Sequence, residues 1–429
     1  MSYLLFSDRF TAMTFSLFGE KFTRHSGITR LMEDLNDGLR TPGAIMLGGG
    51  NPATIPAMQA YFQGLLTEML ASGKVTDALC NYDGPQGKND LLEALAGMLC
   101  ETLGWEVKPQ NIALTNGSQS AFFYLFNLFA GRMADGSRKK VLFPLAPEYI
   151  GYADAGLDDD LFVSTRPNIE LLPDGQFKYY VDFANLNIGE DTGMICVSRP
   201  TNPTGNVITD DELHKLDKLA KQHDIPLVID NAYGLPFPGI IFSNARALWN
   251  PNIILCMSLS KLGLPGSRCG IIIAREDIIT AISNMNGIIS LAPGGTGPAI
   301  ACEMIKRKDI LRLSETVIKP FYQQRVQETI ATIRRYLPAE RCLIHKPEGA
   351  IFLWLWFKDL PITAEALYQR LKARGVLMVP GNHFFPGLAH PWPHTQQCMR
   401  MNYVPEPEKI DAGVKILAQE IERAWREAT

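Results

Sequence analysis

Between residues 112 and 274 the chain alternates short, wholly apolar runs with helical patterns, and that rhythm restricts the fold more than any other feature. The runs are IALT (112–115), KVLFPL (140–145), MICVS (194–198), PLVID (226–230), IILCMS (253–258) and CGIIIA (269–274). Several carry no polar alternation, as strands covered on both faces require. Between two of them Thr209 and Glu212 form the T-x-x-E pattern that opens a helix, here through ELHKLDKLAKQH. Upstream, Leu91, Leu92, Leu95, Leu99 and Leu103 recur at helical spacing. Such alternation predicts an α/β domain on a mainly parallel sheet with helices on both faces.

After about residue 310 the pattern changes to a long helical segment, then IFLWLWF, another helix, the strand-like CMRMNYV and a closing helix through EKIDAGVKILAQEIERAW. That order predicts a second, smaller α+β domain, and 429 residues are too many for one core. The expected division is an N-terminal arm with part of the small domain over 1–49, a large domain over 50–312 and a small C-terminal domain over 313–429.

A hydrophobic fraction of 46% with 20% charged residues fits an ordinary packed protein, and a net charge of -4 leaves no basic footprint for nucleic acid or anionic lipid. Small molecules are the expected partners. The opening MSYLLF is broken at once by Asp8 and Arg9, so it reads as no signal peptide, and no run approaches a bilayer span. Eight scattered cysteines without a CxxC pair predict reduced thiols and a cytoplasmic setting. The prolines of HPWPH keep His390 and His394 off one helical face, so no metal site is expected there.

Ligands of open α/β sheets bind beyond the carboxyl ends of the strands, which directs attention to the polar residues after each apolar run. Asn116-Gly117-Ser118-Gln119 follows IALT and enters a helix, where free N–H groups and the dipole favour an anion. Arg199-Pro200-Thr201-Asn202-Pro203-Thr204-Gly205 follows MICVS, and Asp230 ends PLVID ahead of Asn231, Ala232 and Tyr233. The stretch SLSKLGLPGSRCG follows IILCM and offers Ser258, Ser260 and Arg268 to a phosphate and the amine of Lys261 to an aldehyde. Taken singly, each has an ordinary alternative: an N-cap, a proline-held connection, a structural ion pair, a solvated basic loop. Phosphate donors, an amine and a buried carboxylate at the strand ends of one sheet together describe a pyridoxal phosphate site.

The ordered series NGSQ, PEYIGY, NPTG, DNAY, SLSK and GSRCG resembles the fold-type I aminotransferases, and the likeness runs from about Met13 to the end. It implies a mainly parallel sheet of the seven-stranded type with a smaller α+β domain, and pyridoxal 5'-phosphate as cofactor. It makes Lys261 the internal aldimine lysine and Asp230 the partner of the pyridine nitrogen, with Asn202 and Tyr233 at the phenolic oxygen. Tyr149 then stacks on the ring, and Gly117, Ser118, Gln119, Ser258, Ser260 and Arg268 surround the phosphate. Tyr82 in NYDGPQG matches a tyrosine that reaches the neighbouring subunit's phosphate, which implies a homodimer with sites at the interface. Arg400 and the Gly50 backbone match the groups that meet the substrate α-carboxylate, with Asn202 beside them. Glu148 departs from the pattern, since many relatives carry Gly or Thr before the stacking residue. The residues ahead of Met13 fall outside the resemblance, which leaves Met13 as an expected natural start.

Longer stretches, among them LGGGNPA, LAPEYIGYADAG, DNAYGLPFPGIIF and PEGAIFLWLWF, narrow the implied activity. It becomes ping-pong transamination of L-valine with pyruvate, giving 3-methyl-2-oxobutanoate and L-alanine. A broad aliphatic or aromatic aminotransferase and a carbon–sulfur lyase on the same scaffold stay open. A ligand-sensing regulator would need a basic DNA-binding module, and the residues ahead of LGGGNP are too few and too mixed in charge for one.

Overall fold

The computed structural model describes residues 14–23, 29, 33, 34, 37, 38 and 40–428. The expectations for residues 1–12 and for Met13 as a start lie outside the described residues.

The apolar runs assemble into one sheet in the order Ile112–Thr115, Gly270–Ile273, Ile253–Ser258, Leu227–Asp230, Thr192–Ser198, Arg138–Phe143. Phe162–Ser164 continues it in parallel beyond Arg138–Phe143, which makes the seven expected strands. The eighth, Gly131–Arg132, is a two-residue antiparallel partner of the same strand. Gly270–Ile273 runs against both of its neighbours and is the one reversal within the seven. The missing polar alternation has its cause in two apolar layers. Leu227 and Ile229 enter the core on one face, while Val228 enters that on the other with Ile254 and Ile272. The helix Asp210–Gln222 begins as its sequence predicts: Glu212 N–H donates to Thr209 Oγ1 at 3.2 Å and Thr209 N–H to Glu212 Oε2 at 2.9 Å.

Register brings the strand ends together. Asp230 lies level with Ser198 on one side and Cys256 on the other, and Ser258 is level with Gly270, itself level with Thr115. Because Gly270–Ile273 runs backwards, Arg268 just ahead of it sits at the same edge as the carboxyl ends of its neighbours.

A second sheet has the order Val379–Pro380, Cys398–Asn402, Phe352–Trp356, Leu343–His345, Gln176–Tyr180, Asn168–Leu172. Its last two strands come from within the stretch 50–312, so a single cut after 312 does not separate the two sheets. They form a hairpin closed through Pro173–Gly175, with Asp174 and Gly175 at φ of 58° and 68°. The pattern of NIELLPDGQFKYY hides it, because Lys178 occupies a buried position among Phe177 and Tyr179. At the other end of the chain, Ile45–Met46 pairs in parallel with Val376–Leu377. Among the described residues no helix is long and apolar enough to cross a membrane.

Candidate active site

Twelve of the sequence-predicted residues line one cavity of about 210 Å³ at the carboxyl edge of the large sheet. They are Gly50, Ser118, Gln119, Tyr149, Asn202 and Asp230, with Tyr233, Ser258, Ser260, Lys261, Arg268 and Arg400. Gly117 stands directly behind Arg268. Tyr82 is 85% exposed and lies outside the cavity of its own chain.

Lys261 sits in a tight turn, Ser260–Leu262, immediately beyond the strand Ile253–Ser258. Its Nζ donates to the Gly50 carbonyl at 2.6 Å and stands 5.2 Å from the centroid of the Tyr233 ring. Burial pulls this amine down to about 8, helped by the positive charges of Arg400 and Arg268 and opposed by Asp230. A lysine that would otherwise be fully protonated at neutral pH thus has an accessible neutral form. Gly50 accordingly offers its carbonyl to the lysine as well as a backbone edge to the cavity.

Asp230 closes the floor. Its Oδ2 accepts from the Tyr152 hydroxyl at 2.5 Å and its Oδ1 from Ala232 N–H at 3.0 Å. Burial pushes the carboxyl up, and these two donors together with Lys261 oppose that shift. Tyr152 was not singled out by the sequence. Its signal is the second aromatic of PEYIGY, three residues past Tyr149, which a short turn, Ile150–Tyr152, folds beneath the cavity.

The end of the cavity that the sequence assigns to a phosphate is built by close packing of backbone. Gly117 has φ +87°, and a Cβ there would come within 2.3 Å of Arg268 Nη2. Gly270 is equally tight, since its Cβ would meet Thr115 Oγ1 at 2.5 Å. Ser118 and Gln119 open the helix Ser118–Phe129, whose first N–H groups have no intrahelical partner. The Gln119 side chain is occupied, donating from Nε2 to the Gly151 carbonyl at 3.0 Å, which leaves its backbone for the anion. Ser260 N–H donates to Ser258 Oγ at 3.1 Å, which in turn donates to Ser260 Oγ at 3.0 Å. Among the described residues no carboxylate pairs with Arg268, which reaches only the carbonyls of Pro265 and Asn116 at 3.4 and 3.5 Å.

Arg400 is buried and lies 4.2 Å from the centroid of Phe352 and 5.2 Å from that of Phe384. Nη1 donates to Asn202 Oδ1 at 2.8 Å and Nη2 to the Gly48 carbonyl at 2.7 Å, while the Nε proton has no acceptor. A buried cation in a cavity wall that has, among the described residues, no carboxylate partner and one unused donor is suited to a carboxylate from outside the chain.

These features fit pyridoxal phosphate: an unpaired guanidinium with helix N–H groups for the phosphate, a carboxylate on the floor, an amine of lowered basicity. The Gly117 cradle gives a direct check. Gly117→Ala should displace the Arg268 guanidinium and cost roughly 1.5–3 kcal/mol of charge-assisted hydrogen bonding, about 10- to 150-fold in cofactor affinity. Absorbance titration of the apo protein measures it; unchanged affinity would remove Arg268 from the phosphate site.

Glu148 is buried beside this floor. It accepts from Ser198 N–H at 3.0 Å and from Ser198 Oγ at 2.5 Å, and Ser198 is level with Asp230. Burial pushes its carboxyl up to about 8; the Ser198 bonds oppose this and the Asp230 charge adds to it. The folded chain therefore holds this proton where the unfolded chain, at roughly 4.3, has lost it. Its stabilising contribution is full below the unfolded value and is lost as pH rises through about 8. Glu148→Gln keeps the shape without the titration, so its stability relative to the parent should improve from pH 5 to 8 by roughly 1–3 kcal/mol. Urea unfolding at several pH values reads this, and a pH-independent difference would contradict it.

The family model for class I and II aminotransferases matches residues 166–417. Over 416 residues the chain is 85% identical to the valine–pyruvate aminotransferase of Escherichia coli K12, spanning 97% of this chain and 100% of that protein. The crystal structure of valine–pyruvate aminotransferase from Salmonella typhimurium LT2 matches with a TM-score of 0.88 and 82% identity, over 94% of this chain and 100% of that one. The aromatic-amino-acid aminotransferase 1 of Thermococcus litoralis is 27% identical over 90% of each chain. The chain belongs to the class I and II aminotransferases.

Proposed function

We propose that the chain transfers the amino group of L-valine to pyruvate, yielding 3-methyl-2-oxobutanoate and L-alanine, with pyridoxal phosphate as cofactor. The observation that carries this reading is the 85% identity to a valine–pyruvate aminotransferase along nearly the whole chain, joined to a cavity that holds Lys261, Asp230 and Arg400 together. When bound, the cofactor supplies an aldehyde for the amino group and an electron-withdrawing ring that accepts the electron pair released at the substrate α-carbon. Arg400 binds and orients the substrate carboxylate. Lys261 Nζ, partly neutral near pH 7 because burial lowers its basicity, takes the proton from the α-carbon. Asp230, steadied by Tyr152, holds a proton at the ring nitrogen. Tyr149 would cover the face of the bound ring, and Asn202 and Tyr233 would hold its phenolic oxygen.

The wider assembly is part of the same proposal. Leu79, Tyr82, Ile288 and Leu291 are exposed at 68%, 85%, 86% and 59%. Asn286, two residues before Ile288, donates to the Pro85 carbonyl at 2.8 Å, which draws the segments carrying these side chains together. A second copy of the chain is the occupant that buries them, and Tyr82 of one protomer then reaches the phosphate of the other. All eight cysteines are free thiols, in keeping with a reducing cytoplasmic setting.

The test is conversion of valine plus pyruvate to alanine by the purified holoenzyme, compared across valine, isoleucine, phenylalanine and cystathionine as donors. Release of pyruvate from cystathionine without an acceptor would favour a lyase instead.

A further inference from the structure

The turn that carries Asn202 is braced by a buried ion pair that takes no part in the chemistry above. Lys178 lies on the strand Gln176–Tyr180 of the second sheet, and Glu348 in the segment KPEGA leading into Phe352–Trp356. They are 2% and 5% exposed. Lys178 Nζ donates to Glu348 Oε2, to Asn206 Oδ1 at 2.9 Å and to the Val207 carbonyl at 3.1 Å, which uses all three ammonium protons. Glu348 Oε2 also accepts from Val207 N–H at 3.1 Å.

Asn206 closes the turn, because Thr201 N–H donates to its carbonyl at 2.9 Å. Gly205, at φ +69°, lies so near the Gly349 carbonyl that a Cβ would come within 2.7 Å of it. Asn202, inside this locked turn, accepts from Arg400 at 2.8 Å, and Phe352, three residues past Gly349, packs on the same guanidinium at 4.2 Å. Buried ion pairs often stabilise no better than apolar residues of the same volume. What this pair fixes therefore explains its place better than what it adds to stability.

We propose that Lys178 and Glu348 are positioning residues for the substrate carboxylate: by pinning Asn206 and Val207 they set Asn202, and through Asn202 the guanidinium of Arg400. The proposal rests on Arg400 as the carboxylate anchor. Its probe is 3-methylbutanoate, which is valine without the amino group, titrated into the holoenzyme and followed by the absorbance of the bound cofactor.

The variant K178M/E348Q removes both charges at once, and its amide still accepts from Val207 N–H. It should bind 3-methylbutanoate about tenfold more weakly and raise KM for valine by the same factor, with kcat little changed, as misplacement of a binding group requires. Wild-type affinity for 3-methylbutanoate in that variant overturns the proposal, whatever happens to its melting temperature. Asn206→Ala leaves the ion pair in place and removes one of its anchors on the turn, so it should weaken binding in the same direction. If the double variant fails to fold, unchanged affinity in Asn206→Ala overturns the proposal instead. Arg400→Gln is the control: if it too binds 3-methylbutanoate normally, the fault lies with Arg400 as the anchor.

Discussion

Lys261→Ala is expected to lower alanine formation from valine and pyruvate by about 10⁴-fold, the upper end of the range for loss of a positioned acid–base group. No other side chain in the cavity can take over. The remaining cationic groups are guanidinium ions, Tyr149 and Tyr233 are both held above the ordinary phenol value by burial, and Asp230 is committed to Tyr152 and Ala232 on the floor. The phosphate donors do not depend on the lysine: Ser118 and Gln119 open their own helix, and Arg268 is placed by the reversed strand. The variant should therefore still retain cofactor after gel filtration while losing turnover. Cofactor content and alanine production, measured on the same sample, separate the two effects. Turnover within tenfold of the parent would end the assignment of Lys261 as the acid–base group.

The strand-end motifs are legible in sequence because each is short-range: an apolar run, a stop, and polar residues at once. Thr209 and Glu212 are legible for the same reason, since a capping box is written within four residues. What escapes is set by register and by contacts between distant segments. Tyr152 reaches Asp230 across 78 positions, and Glu148 reaches Ser198 across 50. The special surroundings of Glu148 show only as a departure from the family pattern until Ser198 is seen level with Asp230. The hairpin 168–180 is missed because its second strand buries a lysine, and partners far along the chain, Glu348 at 170 positions with Asn206 and Val207, make that tolerable. Arg268 is the instructive intermediate. Its residue type suggests a phosphate ligand, but its arrival at the right edge depends on Gly270–Ile273 running against its neighbours, which no local pattern records.

Arg400→Gln is the second large effect, and its size differs between binding and folding. In the free protein the guanidinium is buried between Phe352 and Phe384 with no carboxylate beside it among the described residues, and burial pulls it down to about 10. It is still a cation at neutral pH, so the folded chain bears an unneutralised buried charge that a ligand carboxylate would neutralise. Removing one member of such a pair costs about 2–5 kcal/mol, so kcat/KM for valine should fall by roughly 30- to 5,000-fold. Folding should lose far less, because the substitution also removes the burial cost of the charge. A donor without a carboxylate sharpens the distinction: 2-methylpropylamine, which keeps the isopropyl group and the amine of valine, never forms the pair. Its slow reaction should proceed at the same rate in parent and variant. The preference for valine over this amine is then the quantity that Arg400 supplies, and it should collapse in Arg400→Gln by the same factor as kcat/KM for valine. A variant that still prefers valine to the amine as strongly as the parent would show that the carboxylate is held elsewhere.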